Sequence, residues 1–180
     1  MECKWSLIDM WTTKKKIYAL LYKLTSAWLP ISQRSRLARN CRGFWAKRIM
    51  KHVGKNVNIE RNATFGPNVS IDDNSGIGID CEMYGTVTIG SNVMMGPEVV
   101  VYTSSHNYKR TDVPMNQQGL TEEKPVSIGN DVWIGRRAII MPGVTIGNGC
   151  VIGAAALVTH DIPDMCVVGG VPATIIRKRG

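Results

Sequence analysis

The chain has 180 residues, 44% hydrophobic and 20% charged, with a formal net charge of +8. This composition fits one soluble globular domain plus an appendage. No run of 18 apolar residues occurs, so no membrane span is predicted. The charge is uneven. Residues 1–55 hold 13 Lys or Arg against Glu2 and Asp9, whereas residues 56–180 hold 9 against 12 acids, so the basic character belongs to an N-terminal arm. Five cysteines (Cys3, Cys41, Cys81, Cys150, Cys166) are odd in number and match neither CxxC nor a metal-ligand spacing. That is a reduced, cytosolic usage. The N-terminus lacks an uninterrupted apolar region with a small-residue cleavage site, which argues against a secretory signal and for a cytoplasmic protein.

The first element is a helix over 7–28, where Leu7, Ile8, Met10, Trp11, Ile17, Tyr18, Leu20, Leu21, Leu24 and Trp28 recur among Lys14, Lys15, Lys16 and Lys23, ending at Pro30. A second basic helix is predicted over about 32–52, with Leu37, Phe44, Trp45, Ile49 and Met50 as apolar members. Residues 1–52 thus form a basic amphipathic helical arm. Such helices cap the end of a repeat array, and Trp with Lys also suits peripheral contact with an anionic membrane surface. Nucleic-acid contact has no motif behind it.

From Val53 onward the dominant period is six. Val53, Ile59, Phe65, Ile71, Ile77, Met83, Ile89, Met95 and Val101 form one series, and Ile128, Ile134, Ile140, Ile146, Ile152 and Val158 a second. Two residues before most of them stands another small or branched residue, such as Val69, Ser75, Cys81, Val87, Val132, Ala138 and Cys150. Neither a helix nor a plain strand has this period, but a parallel β-helix of hexapeptides does. Cys81 and Cys150 fall on inward positions and read as small core residues.

From Val101 to Ile128 is 27 residues, which is not a multiple of six, so the β-helix is interrupted by an inserted loop over about 107–124. A polar insertion of that length on a rigid scaffold points to a functional site, and it opens at His106. After the second series, Pro163 and Pro172 punctuate a closing segment over about 163–180 that ends in Arg177, Lys178 and Arg179. Residues 53–180 make up the β-helix domain.

Specific motifs lie within the repeat: 128–135 (IGNDVWIG), 142–147 (PGVTIG), 152–154 (IGA), 158–163 (VTHDIP) and 170–173 (GVPA), with 102–106 (YTSSH) upstream. With these the chain resembles the hexapeptide-repeat acyltransferases, in the sugar O-acetyltransferase branch that includes galactoside and maltose acetyltransferases. With its basic arm it looks most like acetyltransferases of bacterial capsule and exopolysaccharide synthesis. The resemblance implies a left-handed parallel β-helix, a homotrimer with active sites between neighbouring subunits, acetyl-CoA as cosubstrate and no metal. It also implies O-acetylation of a sugar or polysaccharide precursor, and the basic arm points to a lipid-linked acceptor at the inner face of the cytoplasmic membrane.

His106 matches the segment holding the family's catalytic histidine. Attack of a hydroxyl on a thioester needs a base, and imidazole is the side chain whose ordinary titration lies near neutral pH. The resemblance sets Trp133 near that histidine as an aromatic wall. It also carries coenzyme contact to Gly135, Ala154, Thr159, His160, Thr174 and Arg177, and the basic cluster Arg177, Lys178 and Arg179 suits the coenzyme's phosphate. One departure concerns the acceptor side. The family's oxyanion-stabilising Asn is matched by Gly78, and the residues left to hold an acceptor are Asp80, Glu82 and Tyr84; Asp80 reads equally as a corner cap. N-acetyl transfer, drug acetylation and a non-enzymatic scaffold are the alternatives within this fold. A carbonic-anhydrase-like zinc site is disfavoured by the spacing of His52, His106 and His160.

Overall fold

The computed structural model describes residues 11–180. Residues 7–10 of the first predicted helix, with Cys3 and Trp5, lie outside the described residues. Helices α1 (Thr13–Thr25) and α2 (Arg36–Ile49) precede the repeat. At their starts the Thr12 hydroxyl accepts from the Lys15 N–H (3.3 Å) and the Ser35 hydroxyl from the Ala38 N–H (3.2 Å). Each cap satisfies an otherwise orphaned first-turn donor. α2 is shorter at both ends than the apolar spacing predicts, and α1 ends at Thr25, three residues before the predicted end.

The repeat winds into a parallel β-helix of short strands on three faces. The first face carries Val69–Ile71, Val87–Ile89 and Val126–Ile128; the second carries Met94–Met95, Trp133–Ile134 and Val151–Ile152. The third carries Glu82–Met83, Val100–Val101, Ile139–Ile140 and Leu157–Val158. Pairing advances by 18 residues, with Ser70 beside Thr88, Glu82 beside Val100 and Trp133 beside Val151. Three hexapeptides therefore make one coil.

From Ile59 to Val158 every member of the six-residue series is more than nine-tenths buried. So is the companion series from Ala63 to Ala156, which means each hexapeptide sends two side chains inward. Ser75 is the polar member, and its hydroxyl donates to Gly90 O (2.6 Å) and accepts from the Val93 N–H (2.9 Å). Both its hydrogen-bonding roles are filled, so its burial carries no unpaired polar group. Burial pushes the Cys81 thiol up to about 11, as suits an inert core thiol. At the corner between the second and third faces, Asn62, Asp80, Glu98, Arg137 and Ala155 all adopt left-handed backbone (φ 54–61°) in successive coils. Gly78 is packed against the next coil, and a Cβ there would collide with the Gly96 carbonyl oxygen.

The helices seal the first coil. The Tyr22 hydroxyl donates to Ala63 O (2.9 Å) while its ring lies 5.1 Å from that of Phe65. Arg42 is fully buried and ties the linker between the helices to the coil, donating to Ile59 O (2.7 Å), Leu29 O (3.1 Å), Pro30 O (3.0 Å) and the Ser32 hydroxyl (2.9 Å). The Glu60 carboxylate lies 3.6 Å from it. Burial pushes the Glu60 carboxyl up, but hydrogen bonds from Ser32 and Asn58 and the Arg42 charge outweigh it and hold the group below the ordinary carboxylate range.

Across the insertion, Val87 pairs with Val126, a step of 39 residues in place of 18. The inserted segment is built as a short antiparallel ladder. His106 bridges Leu120, Asn107 N–H donates to Gly119 O (3.0 Å) and Thr121 N–H to Ser105 O (2.7 Å). Its base is fastened where a Glu123 carboxylate oxygen accepts from the Thr103 hydroxyl (3.2 Å) and from the Thr86 N–H (2.5 Å). At the far end Cys166–Gly169 and Thr174–Lys178 form an antiparallel pair closing the second face.

Candidate active site

His106 stands where the chain leaves the third face and the ladder begins. It lines a cavity of about 450 Å³ with Tyr84, Tyr102, Ser104, Ser105, Leu120 and Met141. The coil register explains this grouping. Met83, Val101, Ile140 and Val158 are stacked in successive coils, so the residues that follow them (Tyr84, Tyr102, Met141 and Thr159) form one column. The Tyr84 and Tyr102 rings are parallel, with centroids 5.7 Å apart. The Tyr84 hydroxyl donates to the Glu82 carboxylate, and that bond, with partial burial, pushes the hydroxyl up to about 12. Tyr84 therefore keeps its proton throughout the physiological range. The cavity lining combines an imidazole and two serine hydroxyls with aromatic and aliphatic surface.

Thr159 ends the column, and its hydroxyl lies 2.9 Å from His160 Nδ1. Glu82, Tyr84, His106, Thr159 and His160 thus share the side of the β-helix that leads from the third face to the first. Trp133 lies elsewhere, exposed on the second face between Met94 and Val151. Gly135 and Ala154 follow at the next corner, where a Cβ on Gly135 would collide with the Ala154 backbone. Asp80 occupies the left-handed corner column, and neither it nor Trp133 lines the His106 cavity. One chain therefore presents the expected site residues as two separate sets.

On the closing strand, Thr174 pairs with Gly169, and Arg177 and Lys178 are exposed. Arg179 is tied to Asp131 Oδ2 (2.8 Å) and Gly149 O (3.1 Å), which leaves Arg177 and Lys178 as the cations of this strand suited to a phosphate. Among the described residues no three His, Cys, Asp or Glu side chains are grouped to hold a metal. Larger depressions of about 740 and 650 Å³ lie beside α2 and on the second face, and neither contains a histidine.

Sequence reasoning singles out the segment 102–106 but gives Tyr102, Ser104 and Ser105 no role of their own, and it misses Leu120 and Met141. The signal for Tyr102 is its spacing of 18 from Tyr84, which the six-residue period contains but does not reveal until three faces are assumed.

Residues 125–160 match the bacterial transferase hexapeptide (six repeats) family. The galactoside O-acetyltransferase of Lactococcus lactis subsp. lactis (strain IL1403) is 31% identical over 180 residues, covering 94% of this chain and 79% of the relative. A protein of Escherichia coli (strain K12) named for acetyl transfer in colanic acid biosynthesis is 30% identical over 142 residues, covering 77% of this chain and 75% of the relative. The solved structure of a galactoside acetyltransferase in complex with coenzyme A superposes with a TM-score of 0.81 at 30% identity, covering 100% of this chain and 86% of that one. The chain spans about half the length of other curated relatives it matches, from 43% to 58%. It belongs to the hexapeptide-repeat acetyltransferase family.

Proposed function

We propose that the protein is an acetyl-CoA-dependent O-acetyltransferase acting on a sugar hydroxyl, with His106 as general base. The observation that carries this reading is the single column running from the paired tyrosines beside His106, through Met141, to Thr159 and His160. The reading assigns the tyrosine end of this continuous edge to the acceptor and the Thr159 end to the coenzyme. A bound thioester would supply the activated acetyl group. His106 takes the proton of the acceptor hydroxyl as its oxygen forms the new C–O bond, the C–S bond breaks, and the proton passes to the departing thiolate. This direct transfer needs no enzyme nucleophile. Tyr84 and Tyr102 present a flat apolar surface to one face of the sugar ring, with Glu82 fixing the Tyr84 hydroxyl.

The division of the site residues into two sets supports a homotrimer. A neighbouring copy would set Trp133, Gly135 and Ala154 opposite His106, Thr159 and His160. Thr174 and Arg177, with Lys178, would hold the coenzyme's far end and its phosphate. The acceptor class is a bacterial surface polysaccharide or its precursor, supported by the relative named for colanic acid biosynthesis, with the protein in the cytoplasm. The test is thiol release from acetyl-CoA by the purified protein, with and without candidate sugars, together with mass spectrometry of the acetylated product. Release that no sugar accelerates would contradict the reading.

A further inference from the structure

Helix α1 is built with an apolar face on both sides. One side carries the buried Tyr22, packed on the first coil. On the opposite side Ile17, Leu20 and Leu24 recur three and four apart, exposed by 52%, 57% and 63%, and Trp28, 62% exposed, extends the stripe just past the helix end. A helix that only capped the coil would turn charge toward water at these positions. The charges instead flank the stripe, with Lys16 and Lys23 on one side and Lys14 on the other, by their positions around the helix. On α2, Leu37 and Phe44 are likewise exposed, among Arg36, Lys47 and Arg48. Between Asp9 and Glu60 the sequence holds twelve Lys or Arg and no acid at all.

We infer that this face docks the protein onto an anionic lipid surface, with α1 lying in the plane of the interface and Ile17, Leu20, Leu24 and Trp28 inserted below the headgroups. The uncompensated cations choose the occupant. A second copy of this face would bring the same positive charge against itself, whereas phospholipid headgroups complement it. Lysine stems on the flanks can lie along the apolar boundary with their ammonium groups among the phosphates. No helix among the described residues is long and apolar enough to cross a membrane, so the contact is interfacial. The inference rests on the arm alone and stands independently of the transferase reading.

The test is co-sedimentation of the full chain with vesicles of phosphatidylglycerol and phosphatidylcholine, and of phosphatidylcholine alone, at low and high salt. The wild type should pellet with the anionic vesicles, less at high salt and least with the neutral ones. Leu20→Glu with Leu24→Glu should lower binding by about tenfold or more. Lys14→Glu, Lys16→Glu and Lys23→Glu together should do the same without touching the apolar stripe, and serve as the second test should the leucine pair disturb folding. Thiol release with a soluble acceptor, measured in parallel, reports on the transferase reading separately. Absence of wild-type pelleting, equal pelleting with both vesicle types, or variants that bind like wild type would overturn the proposal. So would a change of subunit number in the leucine variant with no vesicle binding by the wild type, which would make the face a subunit interface.

Discussion

Tyr84 and Tyr102 stand one coil apart with rings 6° from parallel, each is 39% exposed, and both line the His106 cavity. Two exposed aromatic rings held this way form a platform that needs no ordering when an acceptor arrives. Tyr102→Ala should raise KM for a sugar acceptor by about tenfold with little change in kcat, the pattern of an interaction made equally in ground and transition states. Steady-state kinetics with acetyl-CoA saturating checks this; an unchanged KM would remove the platform from acceptor binding.

Ile140 is wholly buried and paired on both sides, with Val101 and with Val158. Ile140→Asp should cost several kcal/mol, because the site offers a carboxylate no partner. A thermal melt followed by circular dichroism should show a collapsed or absent transition.

Arg42 binds the linker carbonyls of Leu29 and Pro30 to the first coil. Arg42→Ala should destabilise the fold by about 3 kcal/mol or more, since it strands buried acceptors and leaves Glu60 without its cation. Glu60 adds a pH signature. Its folded carboxyl is held below the ordinary range, so its contribution is fully present above the unfolded value and is lost as pH falls through the folded one. Glu60→Gln should therefore be less stable than wild type at neutral pH, and the gap should close in acid. Chemical denaturation across pH measures both effects.

Gly78→Asn tests whether that position ever belonged to the acceptor site. The Cβ would meet the Gly96 carbonyl, so the substitution should lower Tm and leave catalysis per folded molecule unimproved. A gain in kcat at unchanged Tm would show that the side chain reaches the reacting atoms.

The fold was legible because one physical constraint repeats. Every sixth residue must enter a narrow core, and the series from Ile59 to Val158 declares its register without help from any neighbour. Relationships between coils were not legible in the same way. Tyr84 beside Tyr102, or Met141 above Thr159, depends on three hexapeptides closing one turn, and Tyr102 beside Met141 depends also on the insertion adding 21 residues, the difference between a step of 39 and one of 18. The insertion itself reads as a polar loop in sequence, because its ladder pairs only a few residues and is held by Asn107, Gln118 and Thr121 side chains bonded to backbone, a use of polar residues that shows no period. Nothing in the sequence separates Arg42 from the other cations of a basic helix. Its burial follows from four acceptors that only the folded linker and first coil bring together. On α1 the apolar spacing was visible, but not that Ile17, Leu20 and Leu24 face away from the coil.

The central claim is that His106 moves the acceptor's proton. His106 is exposed and fills no inward position of the repeat, so its imidazole can be replaced without opening the core. The decisive measurement is thiol release from acetyl-CoA by His106→Ala in the presence of a sugar that the wild type acetylates, with the melting temperature recorded alongside. The account predicts an unchanged melt and a loss of roughly 10²–10⁴ in kcat, the usual worth of a general base. Wild-type turnover in the folded variant would contradict it.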